Sequence, residues 1–496
     1  MGARRPHVPL HPKRPMTAGR RIFLNIRALG LARVATLLSG LITTAWTARA
    51  LGPDGFGVLG FGTSMLAYAA LFVNLGLSTY AVREIARDRE KATDLADHVL
   101  TLRMLLAVLV GGLYALFVLQ LDKSALVKAV LLVQAVQLLG NALLLDFVYQ
   151  ATERMSVIAV REIGTSLGNM VAVLALVRGP DDLAIAAGIT AISFVINAAL
   201  MLARFSRDFR MPRPRVDLAK WRDILKTSAP MAVSVFAWAL FSHLDLVMLG
   251  FMAPQTEVGW YAAVTKLLVL SLTAGNIILS AFMPQLAAAY GDREAMQARM
   301  RDYAATILSI GALIAAGGVT LAPAILGTVF GPAYAPAADT LRLLMIAVAI
   351  VHINLTMGNP LLVWHRQTGY MTAILVGGLT NAALNLILIP RYGIEGSAAA
   401  TIVAELTAMA GLAWLHRRAV GQLYLGIAAR AALCAALAMA ATMGLTHALP
   451  DLMAPAHPLP ALLIGGSVLV AVYALAALLT GLVRPSRLRR LIMAAA

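Results

Sequence analysis

The sequence is poor in charged residues and rich in apolar ones. Only 13% of its 496 residues are Asp, Glu, Lys or Arg, whereas 60% are hydrophobic. Soluble domains contain about 25% charged and about 45–50% apolar residues, so this composition excludes an ordinary soluble enzyme and a disordered protein. Because a helix needs about 20 apolar residues to cross the hydrocarbon layer, a chain of this length can cross it many times.

Residues that carry chemistry in enzymes and metal sites are also scarce. The single cysteine, Cys434, excludes a disulfide within the chain and a cysteine-based metal site. No histidine and carboxylate cluster with metal-ligand spacing, no Gly-rich nucleotide loop and no Ser/His/Asp set appears in the sequence. We therefore expect no metal, no cofactor and no enzymatic activity.

Long apolar runs separated by turn residues predict fourteen transmembrane helices and hence an all-α polytopic membrane protein. The longest gap between runs, residues 206–226, is too short for an extramembrane catalytic domain. The runs lie near 29–50, 57–81, 98–121, 124–148, 156–177, 182–204, 227–252, 258–288, 303–330, 337–364, 368–389, 393–415, 423–448 and 460–483.

Basic residues outnumber acidic ones, and the net charge is +17. If the N-terminus is cytoplasmic, 30 of the 41 basic residues fall in cytoplasmic segments and six in the opposite loops. Cytoplasmic loops of membrane proteins carry such an excess of Lys and Arg. The charge therefore predicts two cytoplasmic termini and gives no reason to expect a nucleic-acid partner.

The order of the segments predicts two similar halves. Gly57-Val-Leu-Gly and Gly259-Trp-Tyr-Ala each open an apolar helix that ends in a charged Arg/Asp/Glu run, an echo that indicates a parallel repeat of six helices. The predicted parts are a disordered basic cytoplasmic leader (1–21), an N-lobe (22–205), a basic cytoplasmic linker (206–226), a C-lobe (227–416), and two additional helices with a basic cytoplasmic tail (417–496).

Two stretches carry a resemblance to a known family. The first is Arg49-Ala-Leu-Gly-Pro-Asp-Gly-Phe-Gly57, which precedes Phe72-Val-Asn-Leu-Gly-Leu-Ser-Thr-Tyr80. The second is Leu244-Asp-Leu-Val-Met-Leu-Gly250, which precedes Val258-Gly-Trp-Tyr-Ala-Ala-Val-Thr-Lys266. Together with fourteen spans, they resemble the bacterial polysaccharide-biosynthesis flippases of the O-antigen type. These belong to the MOP exporter superfamily, together with the MATE drug exporters and the lipid II flippases.

The resemblance implies a substrate, a mechanism and a set of partners. The substrate would be an oligosaccharide on a polyprenyl diphosphate, such as an O-antigen or exopolysaccharide repeat unit, moved from the cytoplasmic to the periplasmic leaflet of the bacterial inner membrane. A V-shaped, two-lobed, MATE-like bundle would move it by alternating access. Membrane lipids, a polysaccharide polymerase and a chain-length regulator are the partners that the family implies.

Cations within the spans are the first candidates for the substrate site. Ionisable residues are costly in hydrocarbon and usually face a cavity or a partner, and a diphosphate requires fixed positive charge. The alternative is that some of these cations anchor the helices at the membrane surface or form ion pairs within the bundle. The residues expected to bind the diphosphate and its sugar are Arg33, Arg49, Asn74, Arg83 and Lys266.

Two carboxylates and one helix break are candidates for coupling and movement. A buried carboxylate can carry a proton, so Asp245 is the first candidate for coupling or gating and Glu405 the second. The alternative for Asp245 is an ion pair between helices, for example with Lys266. Gly358 and Pro360 are expected to break the tenth helix and act as a hinge.

Three other functions stay open at this point. A MATE-type ion-coupled drug or cation antiporter would need an acidic cavity, whereas the spans here are at least as basic as acidic. A lipid II flippase is possible within the same superfamily, although Leu51-Gly-Pro-Asp-Gly-Phe-Gly57 favours the O-antigen branch. An integral-membrane glycosyltransferase or polymerase would need larger periplasmic loops than this sequence has.

Overall fold

A computed structural model of the chain describes residues 18–364, 366–451 and 457–483, without the side chains of 18–34, 233–235 and 237–242. In these residues the structure is helical throughout and contains no strand. The α-helices are α1 (Ala18–Asn74), α2 (Leu77–Arg87), α3 (Ala92–Gln120), α4 (Ala125–Ala142), α5 (Asp146–Ala151), α6 (Met155–Leu176), α7 (Leu183–Asp208), α8 (Leu218–Met252), α9 (Gln255–Ala288), α10 (Arg293–Thr320), α11 (Ala322–Val329), α12 (Ala338–Val363), α13 (Gln367–Val420), α14 (Leu425–Ala448) and α15 (Pro458–Leu479).

The helices confirm the prediction of an all-α, multi-pass membrane protein. Within the described residues, 11 helical segments are long and apolar enough to cross a membrane. The predicted leader lies outside the described residues except for 18–21, which belong to α1. The predicted basic tail after residue 483 also lies outside them.

Two helices are much longer than a bilayer is thick. α1 has 57 residues and α13 has 54, and a helix rises 1.5 Å per residue across a hydrocarbon core of about 30 Å. Each contains a glycine with non-helical torsions, Gly52 with φ 68° and Gly393 with φ 54°. An L-residue with a side chain is disfavoured at such positive φ. These glycines lie at the predicted boundaries between the first and second runs and between the eleventh and twelfth.

The tenth predicted helix differs from its expected form. Gly358 and Pro360 lie inside α12, which continues to Val363 without a residue in non-helical torsions. Gly358 and Pro360 are therefore part of a continuous helix here, and their role as a hinge stays a prediction. Irregular torsions occur at Gly52 and Gly393.

The two halves of the chain approach each other closely where α1 meets α9. A Cβ atom built on Gly259 would lie 1.8 Å from the carbonyl oxygen of Pro53, and one built on Gly57 would lie 2.8 Å from the amide nitrogen of Gly259. The two glycines whose sequence contexts echo each other are thus in contact. Tyr334 adds to this region, because its hydroxyl donates to the carbonyl of Ala48 at 3.0 Å.

The basic linker is attached to the start of α3. Arg210 Nη2 donates to Asp97 Oδ2 at 2.5 Å, and Arg215 Nη1 donates to Asp94 Oδ1 at 2.6 Å. The side chain of Asp97 is only 1% exposed. Its hydrogen bond with Arg210 raises the pKa of that guanidinium. The linker therefore has a defined position in which part of its positive charge is paired.

We expect Asp97→Asn to release this linker. The substitution removes the charge that Arg210 faces while keeping the volume of the side chain, so the backbone of 206–226 should open more often. Limited digestion of the purified full-length protein with trypsin should then cut the linker about tenfold faster. Asp339→Asn is the control, because the Asp339 side chain is 74% exposed and its partner is Arg342 on the same helix. Equal cleavage rates in wild type and Asp97→Asn would contradict the prediction.

Candidate functional site

Asp245 of α8 is the centre of the most extensive polar cluster in the described spans. Tyr261 of α9 donates its hydroxyl to Asp245 Oδ2 at 2.7 Å. Asn385 Nδ2 donates to Oδ1 at 2.7 Å, and the Thr401 hydroxyl donates to Oδ2 at 3.1 Å. Asn385 and Thr401 lie on α13 on either side of Gly393. Three helical segments therefore converge on the carboxylate of α8 through neutral donors.

Asn381 extends this arrangement, which we call the Asp245 cluster (Asp245, Tyr261, Asn381, Asn385 and Thr401). Asn385 Nδ2 lies 3.0 Å from Asn381 Oδ1, and Asn381 Nδ2 lies 3.4 Å from the Thr401 hydroxyl. Asn385 Oδ1 is buried without a hydrogen-bond partner in the described part of the chain. A carboxylate surrounded by amide and hydroxyl oxygens can hold a proton or a small hard cation.

A conventional metal centre finds no support in the side chains that the structure describes. They contain no group of three or more His, Cys, Asp or Glu placed to hold a metal ion. The Asp245 cluster has one titratable group, and the side chains bonded to it are neutral. Such a group changes its charge at little cost in geometry, because its neutral donors can reorient.

The alternative interpretation of Asp245, an ion pair with Lys266, is wrong. No ion pair joins Asp245 to Lys266, both of which have described side chains. Lys266 of α9 is exposed and lies within electrostatic range of His243. Lys266 has no acidic partner among the described residues. A bare ammonium at this depth is costly in hydrocarbon, so its surroundings should contain water or an anion.

Lys266 lies on the same face of α9 as Gly259, which contacts α1. Lys266 is seven residues after Gly259, and residues seven apart share one face of a helix. Gly259 contacts α1 on that face, and a Cβ on Gly60 of α1 would lie 2.8 Å from the side chain of Ala262. Lys266 is therefore on the face of α9 that is directed toward the N-terminal half.

The other predicted cations have local partners or lie outside the description. Arg49 Nε donates to the carbonyl of Val329 at 3.0 Å, and its Nη2 donates to that of Thr328. These carbonyls end α11, where a cation is favourable to the helix dipole. Arg83 is 40% exposed and lies 3.3 Å from Glu84. The side chain of Arg33 lies outside the described residues.

Asn74 lies at the joint between α1 and α2. Its Oδ1 accepts hydrogen bonds from the amide and the hydroxyl of Ser78, at 3.3 and 2.9 Å. The two residues that follow it, Leu75 and Gly76, have φ values of 43° and 75°. Asn74 therefore fixes the first turn of α2 at a break in the helix. The side-chain oxygen of this predicted site residue therefore has a local partner.

Glu405 forms a second polar site next to the Asp245 cluster. Its side chain accepts from Asn354 Nδ2 at 2.7 Å, and the residue is 4% exposed. No basic residue forms an ion pair with it in the described part of the chain. Thr401 and Glu405 are four residues apart and share a face of α13. The face of α13 whose Thr401 binds Asp245 of α8 thus also carries Glu405.

Two members of the Asp245 cluster, Tyr261 and Thr401, do not appear among the predicted site residues. Tyr261 has a signal in the sequence, because it belongs to the Gly259-Trp-Tyr-Ala echo. Thr401 has none, since only the reversal near Gly393 brings it beside Asn385 and Asn381. Asn381 and Asn385 are four residues apart and so share a helix face, and a hydrogen bond joins their side chains.

The sequence has relatives whose names describe transport. A family model described as "Polysaccharide biosynthesis protein" matches residues 23–290. A protein of Shigella dysenteriae named as an O-antigen transporter is 21% identical over 392 residues, which cover 77% of this chain and 96% of that protein. Residues 23–290, which the family model matches, include Asp245 and Lys266.

Two solved structures share the fold. The lipid II flippase MurJ in an inward closed conformation has a TM-score of 0.74 with 14% sequence identity, over 90% of this chain and 97% of that one. An inward-facing MATE family multidrug resistance transporter of the MOP superfamily has a TM-score of 0.63 with 15% identity, over 78% and 95% of the two chains. At these identities the likeness concerns the fold alone.

Proposed function

Because the chain belongs to the polysaccharide biosynthesis protein family, we propose that it is a flippase for a polyprenyl-diphosphate-linked oligosaccharide. It would move an O-antigen or exopolysaccharide repeat unit from the cytoplasmic to the periplasmic leaflet of the bacterial inner membrane, without catalysis and without a cofactor. The similarity that extends over 96% of a protein named as an O-antigen transporter carries this proposal. Membrane lipids, a polymerase and a chain-length regulator would be its partners.

The proposed architecture has fourteen crossings with both termini in the cytoplasm. The chain would reverse direction at Gly52 and Gly393, so that α1 and α13 each cross the membrane twice. α8 would supply one further crossing in addition to the 11 apolar helical segments of the described residues. Residues 22–205 and 227–416 would form two lobes of six helices, with α14 and α15 added after them. The concentration of basic residues on one side supports this orientation.

Alternating access in this architecture needs a contact that opens on the periplasmic side. The crossing of α1 and α9 at Gly57 and Gly259 supports such a role, because in the proposed topology it lies near the periplasmic reversal at Gly52. The hydrogen bonds from Arg49 to the end of α11 would open with it. Gly358 and Pro360 stay candidates for a hinge within α12, where a missing amide weakens the helix.

The proposed substrate site uses Lys266 and Arg33 for the diphosphate, with Arg49, Asn74 and Arg83 as further contacts. Lys266, which has no acidic partner among the described residues, is the strongest support. Asp245 would couple transport to an ion gradient, with Glu405 as the second candidate. The neutral donors around Asp245 support this assignment, because no fixed cation holds the carboxylate in one charge state.

A strain that lacks the gene tests the proposed function. We expect it to lose its surface polysaccharide and to accumulate the lipid-linked repeat unit in the cytoplasmic leaflet, and we expect the plasmid-borne chain to restore export. Normal surface polysaccharide in a strain without a second flippase would contradict the proposal. Accumulation of lipid II would favour a lipid II flippase instead, and sensitivity to cationic drugs alone would favour a MATE-type antiporter.

Removal of the two proposed diphosphate cations should reduce export strongly. A hydrogen bond to a charged group contributes about 1.5–3 kcal/mol, so Arg33→Ala and Lys266→Ala should each lower export by about ten- to a hundredfold. Export is measured as the rate of surface polysaccharide appearance in the complemented strain, at equal membrane abundance. Lys128→Ala is the matched control, because Lys128 Nζ only donates to the carbonyl of Leu119. Full export by both variants would remove both cations from the mechanism.

A further inference from the structure

A polar pocket lies within the N-terminal half, between α1, α6 and α7. It has a volume of about 260 Å³. Its walls are formed mainly by hydroxyl and amide side chains, with one carboxylate and one aromatic ring. The lining residues that matter for the argument are Thr36, Glu162, Asn169, Thr190, Phe194 and Asn197.

Hydrogen bonds fix the walls of this pocket but leave polar atoms available inside it. Ser193 donates its hydroxyl to Asn169 Oδ1 at 3.0 Å, and the hydroxyls of Ser39 and Ser166 lie 2.5 Å apart. Asn197 Oδ1 is buried without a hydrogen-bond partner in the described part of the chain. A buried, unpaired acceptor is unfavourable unless a ligand or water satisfies it.

The size of the pocket favours a polar ligand larger than an ion. Water occupies about 30 Å³ per molecule in the liquid, so the pocket is much larger than a bare ion requires. Glu162 is its one ionisable lining residue, and the buried guanidinium of Arg161 lies 3.9 Å from Glu162 Oε1. Arg161 is itself paired with Asp146 at 3.0 Å, so Glu162 stays an acceptor for hydroxyl groups, while Asn169 and Asn197 offer amide donors.

These features match the chemistry of a sugar ring. Sugar hydroxyls both donate and accept, as the hydroxyl and amide side chains of the pocket do. The ring of Phe194 offers an apolar surface for the C–H face of a sugar. Thr36 of the pocket is three residues after Arg33 in the sequence.

We propose that the pocket between α1, α6 and α7 binds a sugar unit of the lipid-linked oligosaccharide, next to its diphosphate. The inference rests on the proposed function and adds a sugar-binding site to it. Asn197 and Thr190 would contact the sugar hydroxyls, and Phe194 would contact the ring face. The pocket would thus contribute to recognition of the glycan, whereas the cations would recognise the part that all such lipids share.

Binding measurements on the purified full-length protein in lipid nanodiscs test this proposal. The probes are the lipid-linked oligosaccharide that accumulates in the deletion strain and polyprenyl diphosphate without sugar. We expect the wild type to bind the first about tenfold more tightly than the second. Asn197→Leu and Thr190→Val keep the side-chain volume and should reduce this preference to about twofold or less. Both should leave the affinity for polyprenyl diphosphate unchanged.

Thr372→Val is the control, because Thr372 is exposed and donates its hydroxyl only to the carbonyl of Thr368. An undiminished preference in both pocket variants would overturn the sugar site while leaving the proposed function intact. Loss of sodium- or proton-dependent transport in these variants, with the preference retained, would identify a cation site and would also overturn it. A wild type that binds neither lipid would instead refute the proposed function, and the sugar site with it.

Discussion

Replacement of Asp245 with Asn is expected to reduce glycan export by about a hundredfold while the protein folds and reaches the membrane. Asn has the same shape as Asp but cannot change its charge. Tyr261 and Thr401 can accept as well as donate hydrogen bonds, so their hydroxyls can rotate to suit the new amide. The variant therefore removes the titratable group with little disturbance of the surrounding side chains.

Transport into inverted membrane vesicles, measured with and without an imposed proton or sodium gradient, checks this expectation. The wild type should respond to one of the gradients, and Asp245→Asn should respond to neither. Asp339→Asn serves as the control carboxylate, since Asp339 is exposed and paired with Arg342. Glu405→Gln tests the second candidate in the same assay. If Asp245→Asn keeps both export and gradient dependence, Asp245 is a structural residue.

Replacement of Gly259 with Ala should have the other large effect. The new methyl group would meet the carbonyl oxygen of Pro53 at 1.8 Å, which no relaxation of a side chain can relieve because that atom belongs to the backbone. Insertion of atoms into a packed contact costs about 1–3 kcal/mol. If this crossing closes the periplasmic side, the variant should favour the open state and lower export about tenfold or more.

Cross-linking distinguishes an opened contact from a misfolded protein. Cysteines placed at Asp54 and Thr256, whose side chains are hydrogen-bonded in the structure, should cross-link efficiently in the wild-type background and poorly with Gly259→Ala. Gly164→Ala is the matched control, because a Cβ there meets no atom within 4 Å. Wild-type cross-linking and export in Gly259→Ala would show that the α1–α9 crossing tolerates the methyl group and is not a gate.

The similar motifs around Gly57 and Gly259 mark a contact between helices that the sequence does not predict. Gly57 and Gly259 were singled out because they open similar helices, and the sequence alone gives no indication that they touch. The structure places them in one backbone contact. Arg49 shows the same limit: its sequence position suggested a cation for the diphosphate, whereas its guanidinium binds the carbonyls that end α11, 280 residues away from Val329.

Local physical chemistry explains why the class of the protein could be predicted. An apolar run of sufficient length is stable in hydrocarbon only as a helix that satisfies its own backbone hydrogen bonds. The helices, the membrane environment and the family resemblance were therefore determined by neighbouring residues, and the helical spans and the family match confirm them. The hinge expected at Gly358 and Pro360 stays a prediction, and α12 is continuous through both residues.

The sequence by itself determined that Asp245, Glu405 and Lys266 are costly groups in the spans, since residue type and depth decide that cost. Only the tertiary structure decided which residues, if any, bind each of these groups. Asp245 is bound by Thr401, 156 residues away, Glu405 by Asn354, and Lys266 by no acidic residue in the described part of the chain. Partners at such separations depend on how whole helices cross, and periodicity within one helix carries no information about that crossing.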